Sequence, residues 1–219
     1  MIDYELMWSS LPALLQGACI TIQITIFASC IGYVLGIFFG LLEESKNFLV
    51  KSFLRIYVST IRGTPMLIQI LFIFFVLPQI GVKINATFSA IVAIGLNSSA
   101  YVSQIIRSGI LAIGPGQVEA AKTLGLTKVQ TMLHIVLPQA IKNSFFALGN
   151  ELVTLIKDSS LASIIGVMEL TKEGSVIRSR TYDAFSVLLM VALIYLVLTS
   201  SVTFFFELYA KRMKAQCSK

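Results

Sequence analysis

The sequence predicts an all-α integral membrane protein with five transmembrane helices. Three observations carry this. Of 219 residues, 56% are hydrophobic and only 13% are charged, with a mean hydropathy of +0.85; a soluble domain is about 25% charged. Five apolar stretches, 11–42, 53–80, 86–112, 137–156 and 183–210, are each long enough to cross about 30 Å of hydrocarbon. The polar segments between them are too short to build a second core, so the 219 residues read as a single membrane domain.

The N-terminus carries Asp3 and Glu5 and no basic residue. A cleaved signal needs a positive start, so the first apolar stretch is expected to be retained as a span. Within it Ala28, Gly32, Gly36 and Gly40 recur every four residues. Such a stripe lets another helix approach closely. Packing inside the subunit and a dimer contact are both compatible with it. Cys19 and Cys30 are roughly 16 Å apart along a helix, too far for a disulfide. Cys217 lies in a polar tail, and none of the three has metal-ligand spacing. They read as small apolar fillers; no metal site and no cofactor is expected.

The second stretch is interrupted by Arg62-Gly63-Thr64-Pro65, so its spanning part is expected to begin near Thr64. Positive charge sets the orientation. Lys46, Lys51, Arg55 and Arg62 lie in the first loop, and Arg107, Lys122, Lys128 and Lys142 about the third. Lys211, Arg212, Lys214 and Lys219 end the chain, whereas the second loop has only Lys83. This predicts an N-terminus outside and a C-terminus in the cytoplasm. The net charge of +6 follows the membrane boundaries. No basic stripe with interleaved aromatics occurs, so nucleic acid is not an expected partner. The fourth loop, 157–182, has mixed charge and is placed outside because five spans require it. Its apolar run, 161–167, is expected to be a short helix lying in the interface.

The third loop is the most informative polar segment. Pro115 suits the first turn of a helix running to Leu124. Gly125 permits a turn with positive φ. Thr127 can cap a second helix running through Val136. Pro138 is expected in the first turn of the fourth span.

This loop resembles the cytoplasmic loop of bacterial ABC importer permeases. Their motif is Glu-Ala-Ala, three residues, Gly, nine residues, Ile, any residue, Leu-Pro. Here it stands as Glu119-Ala120-Ala121, Gly125, Ile135 and Leu137-Pro138, with every spacing matched. The alternative is an ordinary interfacial helical hairpin. The resemblance implies the type I ABC importer permease fold, an ABC transmembrane type-1 region over about 15–210, and a coupling loop over about 113–137. It also implies that the loop is a coupling helix, docking in a groove of a separate ATP-binding subunit. Small Ala120 and Ala121 suit close approach, and Glu119 suits a basic or backbone donor.

Arg62-Gly63-Thr64-Pro65 with Met66-Leu67-Ile68-Gln69 resembles a segment of the polar amino acid branch of that family. Gly149-Asn150-Glu151, Lys157-Asp158-Ser159-Ser160-Leu161-Ala162, and Gly166-Val167 with Glu169-Leu170-Thr171 are similar to further signatures of it. A local reading stands beside this: Gly-Thr-Pro is a plain turn into a helix, and Arg62 an anchor at cytoplasmic headgroups. The resemblance implies a cell inner membrane permease in a dimer, homomeric or heteromeric. Its implied partners are an ATP-binding subunit dimer, an extracytoplasmic solute-binding protein and an amino acid substrate.

Polar residues inside spans point to a binding site. Glu151 and Asp158 are seven residues apart, within about 20° on one helix face and about 10 Å along it. Thr154 lies near the same face. Asn97, Tyr101, Gln104 and Ser108 form a stripe on the third span, and Thr21 and Thr25 another on the first. Three such stripes can line one cavity; the alternative for the threonines and serines is interhelical hydrogen bonding. Two carboxylates suit an ammonium group, and Asn97, Tyr101 or backbone amides suit a carboxylate. A basic amino acid such as arginine or histidine, or glutamine, is therefore the expected cargo.

No G-x-x-x-x-G-K-[ST] loop occurs, so ATP hydrolysis is expected in another chain. His134, the single histidine, lies in the polar loop, and no H-E-x-x-H occurs, so no catalysis is expected. A secondary transporter or channel without ATP coupling would explain the spans and the buried acids. It would leave the third loop unexplained, and no inverted repeat is visible.

Overall fold

The structure, a computed structural model, describes residues 3–44 and 47–217, with side chains to 209. The readings of Lys46, of Lys211, Arg212, Lys214 and Lys219, and of the Cys217 side chain lie outside the described residues and side chains. The described chain is helical, with no strand among the described residues.

Helix α1 (Tyr4–Leu42) starts where Asp3 accepts a hydrogen bond from the Leu6 amide at 2.9 Å. At 39 residues it is about 58 Å long and extends well past the hydrocarbon. Exposed Tyr4 and Trp8 lie near its N-terminal end, and amphipathic rings are enriched at membrane surfaces. Helices α2 (Phe48–Gly63) and α3 (Met66–Val76) replace one continuous second span. They meet at Thr64-Pro65 with a bend of 103°. Pro65 removes an amide and holds Thr64 extended (φ −111°, ψ 140°), which ends α2. With the short tight turn Leu77–Ile80, α3 reaches only about 24 Å.

Helix α4 (Ala86–Leu111) is the central element and packs most extensively on α1 and α7. Then come α5 (Pro115–Thr123), α6 (Lys128–Gln130), a wide turn (Thr131–Val136) and α7 (Leu137–Asp158). Helix α8 (Leu170–Thr181) and the long α9 (Ala184–Cys217) complete the chain. Helices α1, α4 and α9 are long and apolar enough to span a membrane, as is the bent α2–α3 pair taken together. The more polar α7 has 22 residues and reaches about 33 Å.

The small-residue stripe of α1 is spent inside the subunit. A Cβ on Gly32 would lie 2.6 Å from the Ser98 side chain, and one on Gly40 would lie 3.0 Å from that of Ile106. From the opposite side, a Cβ on Gly95 would lie 2.8 Å from Ile31. The backbones of α1 and α4 touch through glycine along this seam.

The 161–167 run is helical, as expected, and packs against its neighbours. It forms a tight helical turn (Ser159–Ile165) whose Ala162 and Ile165, with Val167, are buried against Ile24 of α1, Ile70 of α3 and Ala90 and Ile94 of α4. This packing removes one apolar face of the run from solvent, while Ile164 stays exposed. Gly166, at φ +87°, then turns the chain toward α8.

Gly32→Val should lower stability by about 1–3 kcal/mol by overpacking the α1–α4 seam. Gly116→Ala, with nothing within 4 Å of an added Cβ, should be neutral or stabilising by up to about 1 kcal/mol. Thermal unfolding of the purified protein measures both.

Candidate functional site

A cavity of about 550 Å³ opens where the α2–α3 elbow meets α4 and α7. Residues 62–66 of the elbow, Asn97 and Tyr101 of α4, and Glu151, Thr154 and Asp158 of α7 line it. The sequence placed Glu151, Thr154 and Asp158 on one face, and the structure brings that face to the α4 stripe. Glu151 is 9% exposed and accepts a hydrogen bond from Ser98 Oγ at 2.8 Å. Asp158 is half-buried at the end of α7.

Gln69 holds the elbow in shape. Its Nε2 donates to the Ile61 carbonyl at 2.8 Å and to Thr64 Oγ1 at 2.9 Å. These groups lie in the last turn of α2 and just beyond it, where helical carbonyls lack partners. The Gln69 Oε1 accepts from Asn97 Nδ2 at 3.1 Å. Asn97 therefore lines the cavity with one of its two amide N–H donors already engaged. The Arg62 guanidinium stands over the Tyr101 ring, 5.0 Å from its centroid. Arg62 is thus a wall of the cavity in addition to any position near headgroups.

The α1 stripe does not join this cavity. Thr25 is buried and its hydroxyl donates to the Thr21 carbonyl at 2.8 Å. The Thr21 hydroxyl points to Glu169 at 3.4 Å and receives the Leu170 amide at 3.3 Å. Thr21 serves the junction with α8, Thr25 bonds back to its own helix, and neither lines the cavity, so Thr25 does not join the α4 and α7 stripes as the sequence reading expected. The α4 stripe is divided as well. Gln104 donates to Glu43 at 2.6 Å, and Glu43 also holds Arg107 at 3.2 Å. Ser108 lines a second cavity, of about 510 Å³, between the hairpin-proximal halves of α4 and α7.

Glu169 is fully buried and caps α8. It accepts from Tyr195 Oη at 2.8 Å and from the Thr171 and Lys172 amides at 3.0 and 2.8 Å. Sequence reasoning grouped it with a signature and gave it no role. The local clue was an acid directly before Leu170-Thr171, a capping position. Tyr195 lies 26 residues away and could not be paired with it from sequence.

The polar hairpin has the predicted corner. The Leu126 amide donates to the Ala121 carbonyl at 3.1 Å and the Gly125 amide to Lys122 at 3.0 Å. This is the paired closure that ends a helix with a left-handed residue, here Gly125 at φ +77°. Thr127 and Gln130 form the reciprocal cap of α6. Glu119 and Ala120 are exposed, whereas Ala121 is 3% exposed and packs inward. The outward face is therefore Glu119 and Ala120, extended by Leu124 at 81% exposure, and not both alanines. Ile135 and Leu137 are half-buried and Pro138 is exposed. The second hairpin helix does not stop at Val136. It widens over Thr131–Val136 and runs on into α7. Pro138 has no amide and its ring would crowd the His134 carbonyl in a regular helix, and the wide turn removes that conflict. His134 is exposed, with Nδ1 3.0 Å from the Gln130 carbonyl.

Residues 32–215 match the family model described as binding-protein-dependent transport system inner membrane component. The chain belongs to this family. A putative glutamine transport system permease protein of Rickettsia bellii is 37% identical over 215 residues, covering 97% of this chain and 99% of the relative. The arginine transport system permease protein of Bacillus subtilis is 37% identical over 218 residues, covering 98% of each. A crystal structure of an amino acid ABC transporter matches 97% of this chain and 99% of its own, at 39% identity and a TM-score of 0.89. A methionine ABC transporter in an inward-facing conformation matches at 21% identity and a TM-score of 0.77, covering 96% and 99%, and shares the fold. The protein is thus a multi-pass ABC importer permease with the type I fold.

Gln69→Leu should leave the elbow carbonyl of Ile61 and the Asn97 amide without their partner. At about 1–3 kcal/mol for an unsatisfied polar group, the permease should lose roughly 2 kcal/mol of stability. Denaturant unfolding in detergent reads this.

Proposed function

We propose that this permease moves a polar amino acid through the cavity between the α2–α3 elbow and α7. The observation that carries the reading is the cavity itself. Two carboxylates of α7, Glu151 and Asp158, face an elbow bearing Arg62 across about 550 Å³, a volume suited to a small solute. The acids receive the cationic groups of the solute. The side bearing Arg62, Tyr101 and the N-terminus of α3 is electropositive and takes its carboxylate. A basic amino acid such as arginine or histidine, or glutamine, fits this division of charge. The glutamine and arginine permeases among its relatives support the same class.

The energy comes from a separate ATP-binding subunit dimer, and this chain catalyses nothing itself. Glu119, Ala120, Ala121, Gly125, Ile135, Leu137 and Pro138 form the coupling segment. Glu119 and Ala120 meet the ATP-binding subunit, and Ala121 ties α5 to the rest of the permease. Because the hairpin continues into α7, a displacement of α5 reaches the helix that carries Glu151 and Asp158. Alternating access follows: ATP binding draws the hairpins of two permease subunits together and opens the cavity outward, where an extracytoplasmic binding protein delivers solute. Hydrolysis resets it. The second permease is a copy or a homologue. The N-terminus lies outside and the C-terminus in the cytoplasm, with one membrane domain comprising the whole chain.

In the reconstituted complex, Glu151→Gln should reduce uptake of arginine and histidine at least tenfold. That corresponds to about 1.4 kcal/mol, near the value of one hydrogen bond to a charged group. Full uptake by this variant would remove Glu151 from the site. Gly125→Val forces a β-branched residue to φ +77° and should distort the hairpin corner. ATPase activity should then no longer respond to loaded binding protein, while the complex still assembles. Unchanged stimulation would argue against a coupling role.

A further inference from the structure

The two cavities along α4 and α7 are stacked, and they share two lining residues, Arg62 and Tyr101. Away from the hairpin, Asn97, Glu151 and Asp158 line the first. Toward the hairpin, Ser108, Asn143 and Ala147 line the second. The shared pair is in contact, guanidinium over ring at 5.0 Å. We propose, on the transport function above, that the Arg62–Tyr101 stack is the inner gate of the path, separating the solute cavity from the cavity that opens to the cytoplasm.

The chemistry of the pair suits a gate. Arg62 lines the same cavity as Glu151 and Asp158, yet among the described residues no ion pair joins it to either. An arginine cannot shed its charge, so its restraint is the ring face, a softer hold than a buried ion pair. A stack of this kind can part and re-form in each cycle. The elbow places the arginine. Arg62 lies in the last turn of α2, immediately before the 103° bend, and Gln69 ties that bend to Asn97 on the helix that carries Tyr101. A hinge movement at the elbow would slide the guanidinium off the ring.

The test uses the whole reconstituted complex, with the three native cysteines replaced by alanine and Ser108→Cys introduced in the inner cavity. A membrane-impermeant maleimide is added from outside with the complex trapped by ATP and vanadate. Cys-substituted position 108 should be protected in this parent and should label at least tenfold faster in Arg62→Ala. Arg62→Lys and Tyr101→Phe, which keep a cation over a ring, should remain protected. Tyr101→Leu keeps bulk without a ring face and should label like Arg62→Ala, giving a second opening variant should Arg62→Ala fail to assemble. Protection in both opening variants, or rapid labelling of the parent, overturns the gate. ATP-driven arginine uptake by the parent separates the two ideas. Its absence overturns the transport function and the gate with it, whereas uptake with unchanged labelling overturns the gate alone.

Discussion

The close approach of α1 and α4 organises everything else. Gly32, Gly36 and Gly40 on one helix and Gly95 on the other leave no room for side chains between the backbones. Without a hydrophobic drive between helices in lipid, such contact is what makes two helices associate. It locks α4 at the centre, with one face spent on α1. Asn97, Tyr101 and Ser108 then face the cavities beside the elbow and α7, while Gln104 reaches Glu43 at the end of α1. The contact of α4 with α7 repeats the device on a smaller scale. Gly109 lies against Ser144, whose hydroxyl donates to the Ile105 carbonyl at 3.0 Å. Tyr33 of α1 reaches across to the Leu148 carbonyl at 2.7 Å.

Once α4 and α7 are placed, the cavity is a consequence of polar bookkeeping. A helix broken at Thr64-Pro65 exposes carbonyls at the end of α2 and amides at the start of α3. Gln69 satisfies the carbonyl side and ties itself to Asn97. Irregular backbone within a span is tolerated only where it is buried in protein or lines a wet cavity, and the exposed elbow residues 62–65 line the cavity. Glu151 meets Ser98 on the helix that the glycine seam positions. The carboxylates, the elbow and the central helix therefore form one unit, and α7 connects that unit directly to the hairpin.

Much of this was legible from residues alone. Gly125 needed positive φ because a Pro115 helix had to end before Thr127 could cap the next, and the structure has both the corner and the cap. The Glu151–Asp158 face followed from helical periodicity. The break at Thr64-Pro65 followed from proline chemistry, although its 103° angle did not. The failures share a cause. Thr25 sits on a polar stripe like those of α4 and α7, but it is buried away from the cavity and bonds back to its own helix. The apolar 161–167 run gave a short helix, but which of its side chains join the core was set by the helices around it. Glu169 and Tyr195 meet only because α8 and α9 pack side by side.

By itself, the sequence determined the membrane class, the long apolar helices, the hairpin corner and the face of α7 that carries two acids. Each depends on interactions within a few turns of chain: hydropathy over a span length, φ preference, capping and helical period. Tertiary structure alone decided which polar stripes converge, that Ala121 turns inward while Ala120 stays exposed, and that Arg62 lies on Tyr101 between two cavities. A polar stripe states only that its helix has a polar face. What that face meets depends on how the helices rotate about their axes, and here that rotation is set by glycine contacts between segments some 60 residues apart.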